Sequence, residues 1–264
     1  MSETILEVEN LSISFEQYGR GLKKFFSTPI ESLNVKINKG EILAIVGASG
    51  SGKSLLAHAI MHILPPNAIV SGALHYHNEV LNKKTINKYR GSKIAFIPQS
   101  VNYLDPTMKV KNQVKIGLPY NSLQRKEVQE RLFEKFGLKK NDGELYPYQL
   151  SGGMLRRILF ATCIREQTEL IIADEPTPGI HQSALDTVLK QLREFADDGI
   201  GVMFITHDII SAVKIADYIT VFKDGKTIET APSSYFSGDG ERLREEYSRR
   251  LWCSLPQNSF LEVK

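Results

Sequence analysis

An α/β fold is what this sequence predicts, on three observations. Short, wholly apolar runs such as "ILAIV" (42–46) and "VMFI" (202–205) have the length of buried strands. Stretches with helical patterning stand between many of these strands. Strand and helix alternate along much of the chain, which is the pattern of a parallel sheet covered by helices.

Each element can be justified in chain order. "ILEVENLSISF" (5–15) alternates like a half-exposed strand. Residues 16–29 contain Gly19, Gly21 and Pro29 and read as a loop. "SLNVKIN" (32–38) alternates again, and Lys39-Gly40 is a turn. "EILAIVG" (41–47) is the first fully apolar strand. A helix is expected from Lys53 to about Leu64, where Pro65 and Pro66 stop it. "KIAFIPQS" (93–100) is another strand. From about 107 to 165 the pattern is helical, with charged stretches such as "SLQRKEVQERLFEKFG". Then come the strand "ELIIADE", a helix through "HQSALDTVLKQLREFADDG", the strand "IGVMFITHD", the helix "IISAVKIAD", and the strands "YITVFKDG" and "KTIET". The helical middle looks like an insertion into the α/β pattern. The charged tail "GERLREEYSRRLW" reads as a solvated amphipathic helix. No internal repeat or low-complexity stretch interrupts this order.

Composition narrows the function classes. The chain has 264 residues, 33 Lys+Arg and 30 Asp+Glu, hence a net charge of +3. Such a balance implies no strong attraction to nucleic acid or to a membrane surface. At 42% apolar residues a chain of this length buries a substantial core, as one large domain or two smaller ones. Cys163 and Cys253 are far apart and have no CxxC partner, so no disulfide framework or zinc motif is read and a reduced, cytoplasmic setting fits best. Cys163 sits among apolar residues and reads as core. The acidic start "MSETILEVEN" lacks the layout of a signal peptide. No apolar run approaches the roughly 18–20 residues of a membrane span, so any membrane role must come through a partner. His58 and His62 stand four apart on the first helix, and His75 and His77 alternate in a strand. Neither pair has the companions of a metal motif, and both read as satisfied or surface histidines.

Two stretches carry chemistry. Gly47-Ala48-Ser49-Gly50-Ser51-Gly52-Lys53-Ser54 fits G-x-x-x-x-G-K-[ST], directly after a buried strand and opening a helix. The glycines let the backbone wrap a phosphate chain, and the helix N-terminus adds partial positive charge. Lys53 reaches the outer phosphates, and the Ser54 hydroxyl is placed to ligate Mg²⁺. The second stretch is "LIIADEPTPGIH" (170–181), a buried strand that runs into Asp174 and Glu175. Paired carboxylates there are costly unless something occupies them. Beside a phosphate loop, Asp174 holds the Mg²⁺ of the nucleotide and Glu175 orients or deprotonates the attacking water. The expected fold is thus a P-loop NTPase, RecA-like core.

"LSGGMLRR" (150–157) then resembles the signature of the ABC ATPases, and it lies shortly before the Asp174-Glu175 strand as in that family. Gln99 in "FIPQS" matches the Q-loop, "IIADEPT" the extended Walker B motif, and His207 in "FITHD" the switch histidine. The resemblance implies an N-terminal antiparallel β subdomain and an inserted α-helical signature subdomain. It implies a cassette over 1–230, with the insertion at about 100–165, and a C-terminal extension over 231–264. It also implies a head-to-tail pair with a second related ATPase. There Ser151, Gly152 and Gly153 would serve the partner's ATP, and Gln99 would sense the nucleotide or its Mg²⁺ and couple it to the helical insertion. His207 would steady the γ-phosphate and the water near Glu175. An aromatic near the end of the first strand, Phe15 or Tyr18, would stack on adenine. The cofactors are then ATP and Mg²⁺.

One position departs from the family. Where the D-loop usually ends in aspartate, this chain has His181, which brings no fixed negative charge to the dimer seam. "LDPTMKV" (104–110) and "YSRRLWCSLPQNSF" (247–260) resemble the oligopeptide, dipeptide and nickel importer group, and "GGML" looks most like its nickel member. With only Cys253 near the C-terminus, no iron–sulfur cluster is expected. The reading is an importer ATPase on the cytoplasmic face of the membrane, bound to two permease subunits and served by an extracytoplasmic substrate-binding protein. Its cargo would be a nickel or other transition-metal complex, with oligopeptide as the alternative. A soluble ABC protein of translation or repair fits less well, because the chain has one cassette and no long coiled coil. No nucleic-acid partner is implied.

Overall fold

The structure is a computed structural model and describes residues 3–19, 23–176 and 182–255. Two sheets organise it. The first is antiparallel and contains β1 (Thr4–Tyr18), β2 (Lys24–Asn38), β4 (Ala68–Tyr76) and β5 (Glu79–Val80), in the order β2-β1-β4-β5. The second contains β3 (Ile42–Gly47), β6 (Ile94–Ile97), β7 (Leu170–Asp174), β8 (Gly201–Thr206), β9 (Tyr218–Lys223) and β10 (Lys226–Pro232). Its order is β10-β9-β3-β8-β7-β6, parallel except for the β9–β10 hairpin.

The parallel strands read as continuous apolar runs because both of their faces are covered. Along β3, Ile42, Ala44 and Val46 belong to one core, while Leu43 and Ile45 belong to the other. The same alternation holds in β8, with Val202 and Phe204 on one face and Met203 and Ile205 on the other. The first core is closed by α3 (Val110–Lys115), α4 (Ser122–Lys135), α5 (Gly152–Cys163), α6 (Gln182–Asp197) and α7 (Ile209–Ile215). The second is closed by α1 (Lys53–Ile60), α2 (Ile86–Tyr89) and the antiparallel sheet. The mixed α/β architecture, with its antiparallel subdomain and helical insertion, is as the sequence predicts. No helix among the described residues is long and apolar enough to cross a membrane.

Three expectations need correction. Residues 16–29 do not form one loop. β1 continues to Tyr18 and β2 begins at Lys24, with Glu16 opposite Phe26 and Tyr18 opposite Lys24. Phe25, Phe26 and Thr28 favour strand, and a Glu16–Lys24 ion pair at 2.5 Å closes the arm. Pro29 stands beside the register irregularity between Ile13 and Phe15, where strand pairing is already broken. α1 also ends at Ile60, before the prolines. His62 turns left-handed (φ 51°), its N–H bonds Ala59 O, and Ile63 N–H bonds His58 O, so the helix closes on itself. His62 therefore leaves the helix, and its Nε2 lies 3.1 Å from Leu81 O. Finally, the tail helix is α8 (Glu246–Cys253), shorter than expected and docked by Trp252, which is 7% exposed. Its indole Nε1 donates to Gly238 O at 2.8 Å and its ring meets Phe236 edge-on.

His77 lies in the β4–β5 turn with φ 47°, and the turn brings it to Glu169 at the start of β7. Glu169 accepts hydrogen bonds from Tyr76 Oη (2.6 Å), His77 Nε2 (2.9 Å) and Lys93 Nζ (2.8 Å), joining the two sheets. Burial alone would raise its carboxyl. The bonds from Lys93, Tyr76 and His77 outweigh that and hold it down at about 2. A depressed carboxylate adds stability above its ordinary value of 4.5 and loses it as pH falls towards about 2. The side chain is 36% exposed, so solvent screens the effect to about 1 kcal/mol. Urea midpoints taken from pH 5 to pH 2 should therefore fall more steeply for the wild type than for Glu169→Gln. Parallel slopes would show that Glu169 has no such role.

Candidate nucleotide-binding site

Parallel strands all end on one edge of their sheet, and that edge is where ligands bind in open α/β folds. Here the ends of β3, β6, β7 and β8 deliver four stretches of interest. The loop after β3 is shaped by its glycines. A Cβ on Gly47 would stand 2.4 Å from Phe222 O, so β9 leaves room for no side chain. Gly50 (φ 80°) and Gly52 (φ 99°) are left-handed, and a Cβ on Gly52 would meet Ile30 Cγ1 at 2.8 Å. The bare loop then opens α1 directly.

Lys53 is 5% exposed and folds back over this loop, donating from Nζ to Gly47 O and Ala48 O, both at 2.9 Å. Burial pulls its ammonium below the usual lysine range, while the charges of Glu175 and Asp174 pull it back up. Ser51 Oγ is buried within the loop and has no partner among the described residues. An orphaned hydroxyl beside bare backbone and a buried ammonium suits a phosphate chain, which supplies oxygen acceptors. Ser49 and Gly50 are exposed at the mouth of the loop.

One turn into the site, Ser54 Oγ donates to Asp174 Oδ1 at 3.0 Å. Asp174 is 4% exposed; burial raises its carboxyl, and the Ser54 bond lowers it. A hydroxyl and a carboxylate side by side are the hard oxygen donors that Mg²⁺ takes. Glu175 follows with φ 42°, and its N–H donates to Ile205 O at 2.9 Å. That left-handed turn accompanies a change of neighbours: Asp174 meets Ser54, whereas Glu175 meets Gln99 and His207. Gln99 Nε2 donates to Glu175 Oε2 at 2.9 Å, and His207 Nδ1 stands 3.3 Å from Glu175 Oε1. The Gln99 amide nitrogen thus faces Glu175 rather than Ser54 or Asp174. His207 is held between β8 and α7 by Asp208, whose N–H donates to Thr206 Oγ1 and whose carboxylate caps α7 at Ile210 N.

Ser151, Gly152 and Gly153 are not brought to this loop; no hydrogen bond links them to residues 47–54 among the described residues. Ser151 caps α5 by accepting from Met154 N at 3.3 Å, and Ser151 and Gly152 are exposed. A Cβ on Gly152 would meet nothing within 4 Å, so this helix end faces open space. Phe15 packs partly against the core, whereas Tyr18 is 61% exposed with the Lys24 ammonium over its ring. The expectation at His181 lies outside the described residues. Sequence reasoning missed Arg156, which α5 buries against the 98–99 backbone: its Nη1 donates to Gln99 O at 2.9 Å and to Pro98 O at 3.4 Å. Nothing local in "GGMLRR" marks the first arginine as the inward one.

Comparison with known proteins agrees with this geometry. A family profile described as ABC transporter matches residues 30–178. The chain is 35% identical to the oligopeptide transport ATP-binding protein OppD of Lactococcus lactis subsp. cremoris, over 97% of this chain and 77% of that protein. It is 33% identical to the metal-staphylopine import system ATP-binding protein CntD of Staphylococcus aureus, over 86% of this chain and 85% of that one. It is also 33% identical to the ABC transporter ATP-binding protein YejF of Escherichia coli, of whose length it spans 45%. In fold it resembles the dimeric, ADP- and Pi-bound ATP-binding cassette MJ0796, with a TM-score of 0.75 over 87% of this chain and 99% of that one, at 23% identity.

Proposed function

Because this chain belongs to the ABC transporter family, we propose that it is the subunit that binds and hydrolyses ATP to power an importer through a membrane permease. The observation that carries this reading is the meeting of Ser54 with Asp174 and of Gln99 and His207 with Glu175, on the sheet edge that also bears the phosphate loop. The backbone of Gly47, Ser49, Gly50, Ser51 and Gly52 and the N-terminus of α1 hold the phosphate chain. Lys53 exchanges its two loop carbonyls for the outer phosphate oxygens. Ser54 and Asp174 would hold Mg²⁺, which when bound would supply positive charge to the phosphates, and Gln99 stands next to this pair through its bond to Glu175. Glu175 takes the proton of the attacking water as its oxygen bonds the γ-phosphorus and ADP departs with the bridging oxygen. His207 steadies that water and the γ-phosphate.

The exposed, capped end of α5 supports the reading that Ser151, Gly152 and Gly153 serve the ATP of a second, related ATPase in a head-to-tail pair. Phe15 is the better placed of the two aromatics for adenine. It stands two residues along β1 from Ile13, whose partner Ile30 is the side chain that abuts Gly52. The cassette spans 1–230 with its insertion at about 100–165, and 231–264 form the extension. The subunit works on the cytoplasmic face against two permease subunits, with an extracytoplasmic binding protein delivering cargo.

The cargo is a small peptide, a reading supported by the oligopeptide-transport relative matched over 97% of this chain. A transition-metal complex, nickel included, is the second reading, supported by the 33% identity to the metal-staphylopine relative over 86% of this chain. Deleting this subunit in its host should abolish growth on defined peptides as the source of a required amino acid. Lost nickel, cobalt or zinc uptake with peptide growth intact would transfer the assignment to the metal complex.

A further inference from the structure

We propose that Arg156 is the positioning residue that ties helix α5 to Gln99 and, through Gln99, to Glu175. The inference rests on the proposed roles of those two residues. Arg156 is 4% exposed and has no carboxylate within ion-pair distance among the described residues. Its Nε also lacks a partner. An isolated buried cation is destabilising compared with an apolar side chain of similar volume, so packing alone does not account for it. What it does hold is specific: the carbonyls of Pro98 and Gln99, through Nη1. No other hydrogen bond to those two carbonyls is found among the described residues. The stretch leaving β6 is therefore anchored to α5 rather than to its own sheet.

The neighbours of Arg156 show why this anchor transmits position. Arg157 points to another side of α5 and donates to Gly137 O at 2.9 Å, which fixes the helix to the segment after α4. Five residues before Arg156, Ser151 caps the exposed end of α5, about 7.5 Å away along a rigid helix. A push on that end moves the guanidinium with it. The guanidinium holds the Gln99 backbone, and the Gln99 side chain holds Glu175 Oε2. Contact between the signature end and a second nucleotide is in this way felt at the base of this chain's own site.

The test is steady-state ATP turnover by the assembled transporter carrying this chain as wild type, Arg156→Met, Arg156→Lys, Gln99→Ala and Arg156→Met/Gln99→Ala, with thermal midpoints of the purified chain alongside. Arg156→Met is expected to lower kcat about tenfold while the KM for ATP stays within about twofold. Arg156→Lys should recover kcat to within about threefold, since its Nζ can donate to both carbonyls. Because Arg156 acts through Gln99, the double variant should be no slower than the slower single one. Wild-type kcat in Arg156→Met, or effects that multiply in the double variant, overturns the inference. So does an Arg156→Lys protein as slow as Arg156→Met with a lowered thermal midpoint, which marks a purely structural role. Should Arg156→Met not fold, Arg156→Gln replaces it under the same criterion of non-additivity. Turnover that Lys53→Ala abolishes and Arg156 variants leave untouched sinks this inference alone. A wild type without turnover removes the proposed function as well.

Discussion

Lys53→Ala is expected to cut ATP turnover at least about 100-fold and to weaken nucleotide binding, with the fold intact. The ammonium is the one cation buried in the phosphate loop, 5% exposed, and its Nζ already spans two loop carbonyls. Methionine or leucine there would fill the space and remove only the charge, whereas alanine removes both the stem and the charge proposed to meet the outer phosphates. In a site shielded from water such a charge is worth far more than on the surface. Binding of a fluorescent ATP analogue and phosphate release together check this. Circular dichroism and the thermal midpoint should stay close to the wild type, because α1 is still packed through Leu56, Ala57, Ala59 and Ile60. A variant that hydrolyses ATP at the wild-type rate would remove Lys53 from the mechanism.

Glu175→Gln separates binding from chemistry. The amide keeps the shape and leaves Ser54, Asp174 and Lys53 in place, so ATP should bind nearly as well. The proposed base is gone, and kcat is expected to drop about 100-fold or more. With ATP bound and not consumed, the head-to-tail pair should accumulate, visible as an ATP-dependent doubling of mass by light scattering. In the wild type the doubled species should decay as ATP is used. The assay belongs in the assembled transporter, where turnover is high enough to show the loss. Normal turnover in this variant would assign the base elsewhere.

Much of this site can be read along the chain because its chemistry is local. The phosphate loop is eight consecutive residues, 47–54, after a strand whose apolar run is unbroken. Asp174 and Glu175 follow another such strand, and Gln99 and His207 lie just beyond the strands 94–97 and 201–206. Motif order thus places four strand ends. The arm formed by 16–18 and 24–29 was hidden by Gly19, Gly21 and Pro29, whose punctuation outweighs the strand preference of Phe25, Phe26 and Thr28. Those residues gain their ladder only from pairing across the turn. Arg156 was hidden for another reason. The first of two adjacent arginines at the start of a helix reads as solvated until the fold buries it against Pro98 and Gln99. The Glu169 cluster likewise needs a strand start, a turn at His77 and Lys93 to coincide in space, which no sequence spacing announces.

The place of β3 in its sheet has a consequence for biosynthesis. Its two hydrogen-bonding neighbours are β8 and β9, both drawn from the last quarter of the chain. A ribosome adding about 5–20 residues per second needs roughly 8–30 s to pass from Gly47 to Thr206, the end of the first of these neighbours. For all that time the nascent "ILAIVG" has neither lateral partner, and the unpaired N–H and C=O groups of both its edges stand open to other chains. The strand that leads into the phosphate loop thus waits longer than any other of the sheet for its neighbours. Until the closing strands emerge, these open edges are the place where a newborn chain is exposed to pairing with another.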